Sequence, residues 1–435
     1  MANRRFKQIV AFGLALTMTA GMGAAAAYAD DGENIVLRFS WWGAEARHEK
    51  TLAAFERYHE LHPNITIEGE YSSIDTYYQK LVTQFAGGTA PDIIQIDQPW
   101  IEDFAMQGQL LEDLNDYTDI IDMSTYDADY LAGWCMNGDR LEALPLGLNG
   151  YTTMYNKKAL EAAGIEIDSS TELTWDDILT LGEQYKEANP DGIFLHTDPN
   201  TLEKNIFRPY VIQQYGGYFL NPDFTIGFTR ESLINAYNYL IELSDRGIIQ
   251  PLNETATFDG KIDQNPVWVN GQAALCIRWV SDLQQLLNDN VDIGVCRIPV
   301  NEGAAETGIN CKPSMVATIY TGSEHKKEAA EFINWMVNDE EATTILADCR
   351  GVPPTERQRT QLQDAGMLNA AMAEGISIAV ANAGTPQNGL SDNAEVTAIS
   401  LDIIARVLYK QISPEDAADE MIQRTEEKLE TLKNS

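Results

Sequence analysis

The feature that most constrains this chain is the alternation between Ile35 and Trp100, where three strand-like runs are separated by two amphipathic helical segments. Ile35-Val36-Leu37-Arg38-Phe39 is a short apolar run. The residues after Ala44 place Leu52, Phe55 and His59 at helical spacing until His62-Pro63 ends the helix. Ile65, Ile67, Gly69 and Tyr71 alternate as a strand. Tyr78, Leu81, Val82 and Phe85 recur on one helical face, Gly87-Gly88 stops it, and Pro91-Asp92-Ile93-Ile94-Gln95-Ile96 supplies a third strand. That order predicts right-handed crossovers and parallel pairing. Ligands of open parallel sheets sit beyond the carboxyl ends of the strands, and those ends carry Ser40-Trp41-Trp42-Gly43, Tyr71-Ser72 and Asp97-Gln98-Pro99-Trp100.

Residues 1–29 read as a secretory signal, because Arg4, Arg5 and Lys7 precede a long apolar run from Ile9 that closes in the A-x-A site Ala27-Tyr28-Ala29. The residues after Arg4-Arg5 do not match a twin-arginine pattern. Thr19-Ala20-Gly21-Met22 has the outline of a lipobox with Met22 where the acylated cysteine would stand, so no lipid is expected there. The mature protein is expected in a periplasm or outside the cell, and nothing later in the chain reads as a membrane span.

The chain has 435 residues, enough for two domains, with 30 Lys and Arg against 66 Asp and Glu. A net charge of −36 argues against nucleic acid or anionic lipid as a partner and reads chiefly as a solubility device. The five cysteines, at 135, 276, 296, 311 and 349, are too scattered for a disulfide framework or a zinc ribbon. Buried thiols are the main expectation, with a bridge between Cys276 and Cys296 as the alternative.

Further along, Leu141–Pro145 and Tyr151–Tyr155 read as short strands around Gly147, Asn149 and Gly150. Thr174 reads as the N-cap of a helix with acids in its first turn. Thr201–Ile249 is mainly helical, strand signals return at 273–277, 291–299 and 315–320, and Ala329, Phe332, Ile333 and Met336 line one helical face. Gly351-Val352-Pro353-Pro354 breaks the chain, and the remainder is mainly helical. No flexible linker separates two tandem units, so two lobes joined by several short crossovers fit best.

The order of motifs resembles the extracellular solute-binding proteins of family 1, sugar receptors of ABC importers related to maltose-binding protein. The likeness is carried by Leu37-Arg38-Phe39-Ser40-Trp41-Trp42-Gly43, Ala90-Pro91-Asp92-Ile93-Ile94-Gln95-Ile96-Asp97, Leu144-Pro145-Leu146 before Tyr155-Asn156-Lys157, Thr174-Trp175-Asp176-Asp177, Gly271-Gln272-Ala273-Ala274 and Gly351-Val352-Pro353-Pro354. Each motif is weak alone; the shared order spans nearly the whole mature chain. The opening from Ser40 to Glu49 is most similar to receptors for oligogalacturonides and related plant-wall oligosaccharides.

The resemblance implies a two-lobed periplasmic-binding-protein fold of type II, α/β, with a mixed, mostly parallel sheet flanked by helices in each lobe. It places the first lobe at 30–146 and 312–358 and the second at 147–311 and 359–435. It also implies an oligosaccharide ligand, permease subunits of an ABC transporter as membrane partners, a monomer, and no cofactor.

Sugar rings stack on aromatic faces, and their hydroxyls need planar donors and acceptors. Trp41, Trp42, Tyr71 and Trp100 offer the first beyond strand ends, with one of Trp41 and Trp42 expected to pack inward. Asp97, Gln98 and Arg47 offer the second. By resemblance, Asn149 and Tyr151 fall at a hinge, Lys204, Asn205 and Arg208 on a cleft-facing helix, and Arg278-Trp279 at a strand end. Lys312 lies at a second crossover, and Arg350 precedes a third. Trp134 and Trp268 are left open, while Trp175 and Trp335 are expected in the core. The cations Arg47, Lys204, Arg208, Arg278, Lys312 and Arg350 stand out in so acidic a chain and suggest acidic sugars, because an arginine fork binds carboxylate in two parallel hydrogen bonds.

A secreted glycoside hydrolase is the rival class, yet no acidic pair is singled out by a motif, and no nucleophile elbow, H-E-x-x-H or phosphate loop is found. His59 and His62 lack a third ligand nearby, so no metal site is expected.

Overall fold

The computed structural model describes residues 34–43 and 45–433, so the secretory signal read at 1–29 lies outside the described residues. Strands β1 (Ile35–Trp42), β2 (Ile65–Ser72) and β3 (Ile93–Ile96) are connected by helices Glu45–Leu61 and Ile74–Ala86. They pair in parallel, as right-handed crossovers require, with Ile35 opposite Ile65 and Phe39 opposite Ile93. β1 is the middle strand, and its Phe39, Ser40, Trp41 and Trp42 are all buried because both faces of the sheet are covered there.

A two-stranded ribbon, β4 (Met136–Asn137) and β5 (Arg140–Leu141), precedes the element where expectation and structure differ most. The two short strands expected at 141–145 and 151–155 are replaced by one 13-residue strand, β6 (Leu144–Asn156). Its glycines are sites of close approach, not breaks. A Cβ on Gly147 would lie 2.1 Å from the Arg350 carbonyl oxygen, and one on Gly150 would lie 2.5 Å from the Ala379 side chain.

The remaining strands are β7 (Ile193–His196), β8 (Ala273–Trp279), β9 (Ile293–Cys296) and β10 (Cys311–Ile319). One eight-stranded sheet runs in the order β2-β1-β3-β10-β6-β8-β7, with β9 also paired to β6. β10 runs antiparallel to β3 and to the first half of β6; β8 and β9 run antiparallel to its second half; β7 is parallel to β8. Around this sheet the apolar side chains form two cores, which define two lobes. The first includes Phe39, Trp41, Phe55 and Phe332, and the second Trp175, Phe207, Tyr237 and Trp268. β6 and β10 pass from one core to the other, and the bridge between Leu148 and Val352 marks a third pass.

Local signals match their structures closely in the second lobe. Thr174 and Asp177 exchange reciprocal capping hydrogen bonds at the start of helix Trp175–Ala188, a motif contributing about 1 kcal/mol. Trp175 is fully buried, and its indole nitrogen donates to Gln213 Oε1 at 2.9 Å. Trp335 packs against Tyr58 and Phe332 in the first core.

All five cysteines are free. Cys276 and Cys296 flank β6 on opposite sides, opposite Met154 and Thr153, so about 10 Å of sheet separates them, beyond the reach of a disulfide. His59 Nδ1 lies 2.6 Å from the Ile65 carbonyl, and the His62 ring lies 4.3 Å from that of Tyr58. No helix among the described residues is long and apolar enough to cross a membrane.

Candidate functional site

The carboxyl ends of β1 and β3 place an aromatic group on the first lobe. Trp42 and Trp100 rings lie 5.4 Å apart, and Tyr78 lies 4.9 Å from Trp100. Asp97 follows β3 directly; its Oδ1 accepts the Gln98 amide, while Gln98 Nε2 donates to the Trp134 carbonyl at 3.0 Å. Burial raises the Asp97 pKa above the usual carboxylate value, with nearby Lys312 opposing the rise and Asp392 adding to it. Tyr71, at the end of β2, is 47% exposed and stacks on His48.

The hinge strands bring Lys312 on β10 opposite Asn149 on β6. Asn149 Nδ2 donates to Ser281 Oγ at 2.8 Å, and its Oδ1 accepts the Ser281 amide, so this hinge amide is tied to the second lobe. Two residues on, the buried Tyr151 ring lies 4.2 Å from that of Trp279, tilted by 43°. Lys312 Nζ stands 5.7 Å over the Trp279 ring and 3.8 Å from Asp392. Lys312 is therefore the meeting point of the two walls, with Asp97 and the Trp42–Trp100 pair on one side and the Tyr151–Trp279 pair on the other.

Beside it, a narrow recess of about 30 Å³ is lined by Tyr151, Lys204, Arg208, Phe219, Gln387 and Asp392 among others. Arg208 is carried by helix Arg208–Tyr215, just after a wide π-helical turn at Leu202–Phe207, a deformation frequent at functional sites. Burial disfavours the Arg208 charge, but Glu203, 2.6 Å from its Nε, outweighs that and raises its pKa. Lys204 is half-buried and has no ion pair among the described residues.

Seven candidates are buried in this structure: Trp42, Tyr151 and Arg208 back the site, and four more are built wholly into the framework. Trp41 is fully buried, donating to His48 Nδ1 at 3.0 Å, and Trp42, at 7% exposed, is buried as well, so both indoles of the pair pack inward where only one was expected to. Asn205 donates to the Ile277 carbonyl at 2.7 Å. Arg278 is 5% exposed and engages Asp198 at 3.0 Å and Asp282 at 3.1 Å. Arg350 is 3% exposed and donates to Gln95 Oε1 and Thr51 Oγ1. The physical reason is common to all four: desolvated polar groups must spend their hydrogen bonds inward. Arg47 is intermediate, donating to the Cys349 and Trp42 carbonyls, and its pKa is lowered to about 10 by burial and by Arg350. Trp268 is buried as well, and Trp134 offers only its carbonyl to the site.

Sequence reasoning missed the irregular strap of residues 382–393, which interrupts the C-terminal helices Ala370–Ala381 and Ala394–Leu408 and carries Gln387, Ser391 and Asp392. Its composition, Asn-Ala-Gly-Thr-Pro-Gln-Asn-Gly, is a turn signal that would have flagged it.

The sequence profile of the bacterial extracellular solute-binding proteins matches residues 45–343. A binding protein of Brucella abortus is 24% identical over 290 residues, covering 66% of this chain and 67% of its own. Among solved structures, an extracellular solute-binding protein of family 1 from Alicyclobacillus acidocaldarius shares 25% identity with a TM-score of 0.80, covering 92% of this chain and all of the other. A periplasmic solute-binding protein from Pectobacterium atrosepticum gives 25% and 0.76, covering 91% and 99%. A periplasmic oligogalacturonide-binding protein from Yersinia enterocolitica gives 24% and 0.77 over the same shares, a likeness of fold.

Proposed function

The chain belongs to the bacterial extracellular solute-binding protein family, and from that premise we propose that it captures an oligosaccharide between its lobes. In this reading, it hands the sugar intact to the permease of an ABC importer. The carrying observation is a pair of half-buried indoles, Trp100 backed by Trp42 and Trp279 backed by Tyr151, on either side of Asp97 and Lys312. Rings of a sugar present apolar faces to such indoles, while carboxylate, ammonium and amide groups beside them meet the hydroxyls. Export by a cleaved signal, with release near Ala29, and a monomeric receptor complete the reading.

A second reading, an acidic oligosaccharide, is favoured by Lys204, whose ammonium beside Arg208 has no ion pair among the described residues. The fold neighbour that binds oligogalacturonides agrees with it. Glycoside hydrolysis is the competing class. Incubation with fluorescently labelled neutral and uronic oligosaccharides, followed by chromatography, separates the cases. The receptor reading expects each bound sugar to return at its original length, and shortened products would overturn it.

A further inference from the structure

Asp392 stands where a ligand carboxylate would meet the cleft's cations. Its Oδ2 lies 3.8 Å from Lys312 Nζ and its Oδ1 lies 4.0 Å from Arg208 Nη1. Both separations are long for ion pairs, and neither is a hydrogen bond. The side chain is 42% exposed, whereas Arg208 is already held by Glu203, by the Ser391 carbonyl and by Thr397 Oγ1. Asp392 is thus a loose counterion between a firmly placed Arg208 and a Lys312 whose ammonium has no other carboxylate within 4 Å among the described residues.

The strap that carries it is fastened to the second lobe and touches the first. Gln387 donates to the Gly217 carbonyl at 3.1 Å, and Asn388 donates to the Leu220 carbonyl at 2.8 Å. The Phe219 amide donates to Gln387 Oε1, and the Leu220 amide to Ser391 Oγ. On the first lobe, a Cβ on Gly133 would come within 3.0 Å of Pro386, and one on Gly389 within 3.5 Å of Pro99. Asp392 is therefore held over the cleft at a position fixed by both lobes.

We propose that Asp392 is a built-in occupant of the cleft's anion position and sets its selectivity for charge. A neutral sugar leaves the Asp392 contacts in place. A sugar carboxylate reaches Lys312 and Arg208 only by displacing Asp392, and it meets like-charge repulsion while doing so. Removing the Asp392 charge should leave Lys312 without its counter-carboxylate, with the buried Arg208 charge behind it, to receive a ligand carboxylate. This deepens the oligosaccharide reading and rests on it.

The test is calorimetric titration of wild type and Asp392→Asn with trigalacturonate, its neutral methyl ester, and monomeric galacturonate as a bare carboxylate probe. The ratio of acid to ester affinity should rise about fivefold in Asp392→Asn, the size of one partly screened charge contact. The gain should vanish in the double variant Asp392→Asn/Lys312→Met. An unchanged or reduced ratio overturns the proposal. If neither trisaccharide binds either protein, the galacturonate form of the oligosaccharide reading falls. Galacturonate then decides for Asp392: tighter binding to the variant upholds the role, and equal binding ends it.

Discussion

Arg278 in the second lobe and Arg350 in the first are both almost fully buried, yet they are held in opposite ways. Arg278 faces two carboxylates, Asp198 and Asp282, and its pKa is raised because their attraction outweighs burial. Arg350 faces Gln95, Thr51 and the Cys349 sulfur, all neutral acceptors, and burial lowers its pKa. Arg47, close by, is likewise bound only to carbonyls. The second lobe thus builds its cation into a compensated pair behind Trp279. The first lobe buries a positive charge near Trp42 whose desolvation is only partly offset.

The largest effect that sharpens this contrast is expected from Arg278→Met, which strands two acids in the second lobe. It should cost about 3–5 kcal/mol in urea unfolding at neutral pH. Truncating the half-buried partner of that wall, Trp279→Ala, should instead weaken oligosaccharide binding by about 2–3 kcal/mol with a smaller loss of stability, measured by calorimetry.

His196, fully enclosed beneath the same wall, has neither ring nitrogen hydrogen-bonded, and its pKa is pushed down to about 4 by burial and then by Arg278, with Asp198 opposing. Its value in the unfolded chain is near 6.5, so its contribution is complete above that pH and is lost as pH falls towards 4. Wild type should lose about 2 kcal/mol more than His196→Gln between pH 7 and 5, read from urea midpoints. The smallest effect belongs to Arg350→Met, about 1 kcal/mol, because lost neutral hydrogen bonds are offset by relief of a buried charge. A cost equal to that of Arg278→Met would erase the distinction between the lobes.

Much of the first lobe was legible because period-2 and period-3.6 patterns there alternate cleanly, and Gly87-Gly88 and His62-Pro63 mark real ends. β6 was not, since Gly147 and Gly150 signal a turn locally while their actual role, close approach to Arg350 and Ala379, is set by residues more than 200 positions away. The cations illustrate a second limit. Arg208, Arg278 and Arg350 look alike in sequence, but whether a guanidinium faces a ligand or a buried acid depends on Glu203, Asp198 and Asp282 in space. Asp392 escaped notice for the converse reason: one acid among 66 has no local mark, and only the strap places it against Lys312.

The most direct measurement of the central claim is a tryptophan-fluorescence titration with neutral and uronic oligosaccharides. Because Trp100 and Trp279 stand half-buried on the two walls of the proposed site, the account predicts a saturable emission change with one sugar class that is strongly reduced in Trp279→Ala. A flat response to every oligosaccharide, or an identical response in Trp279→Ala, would contradict it.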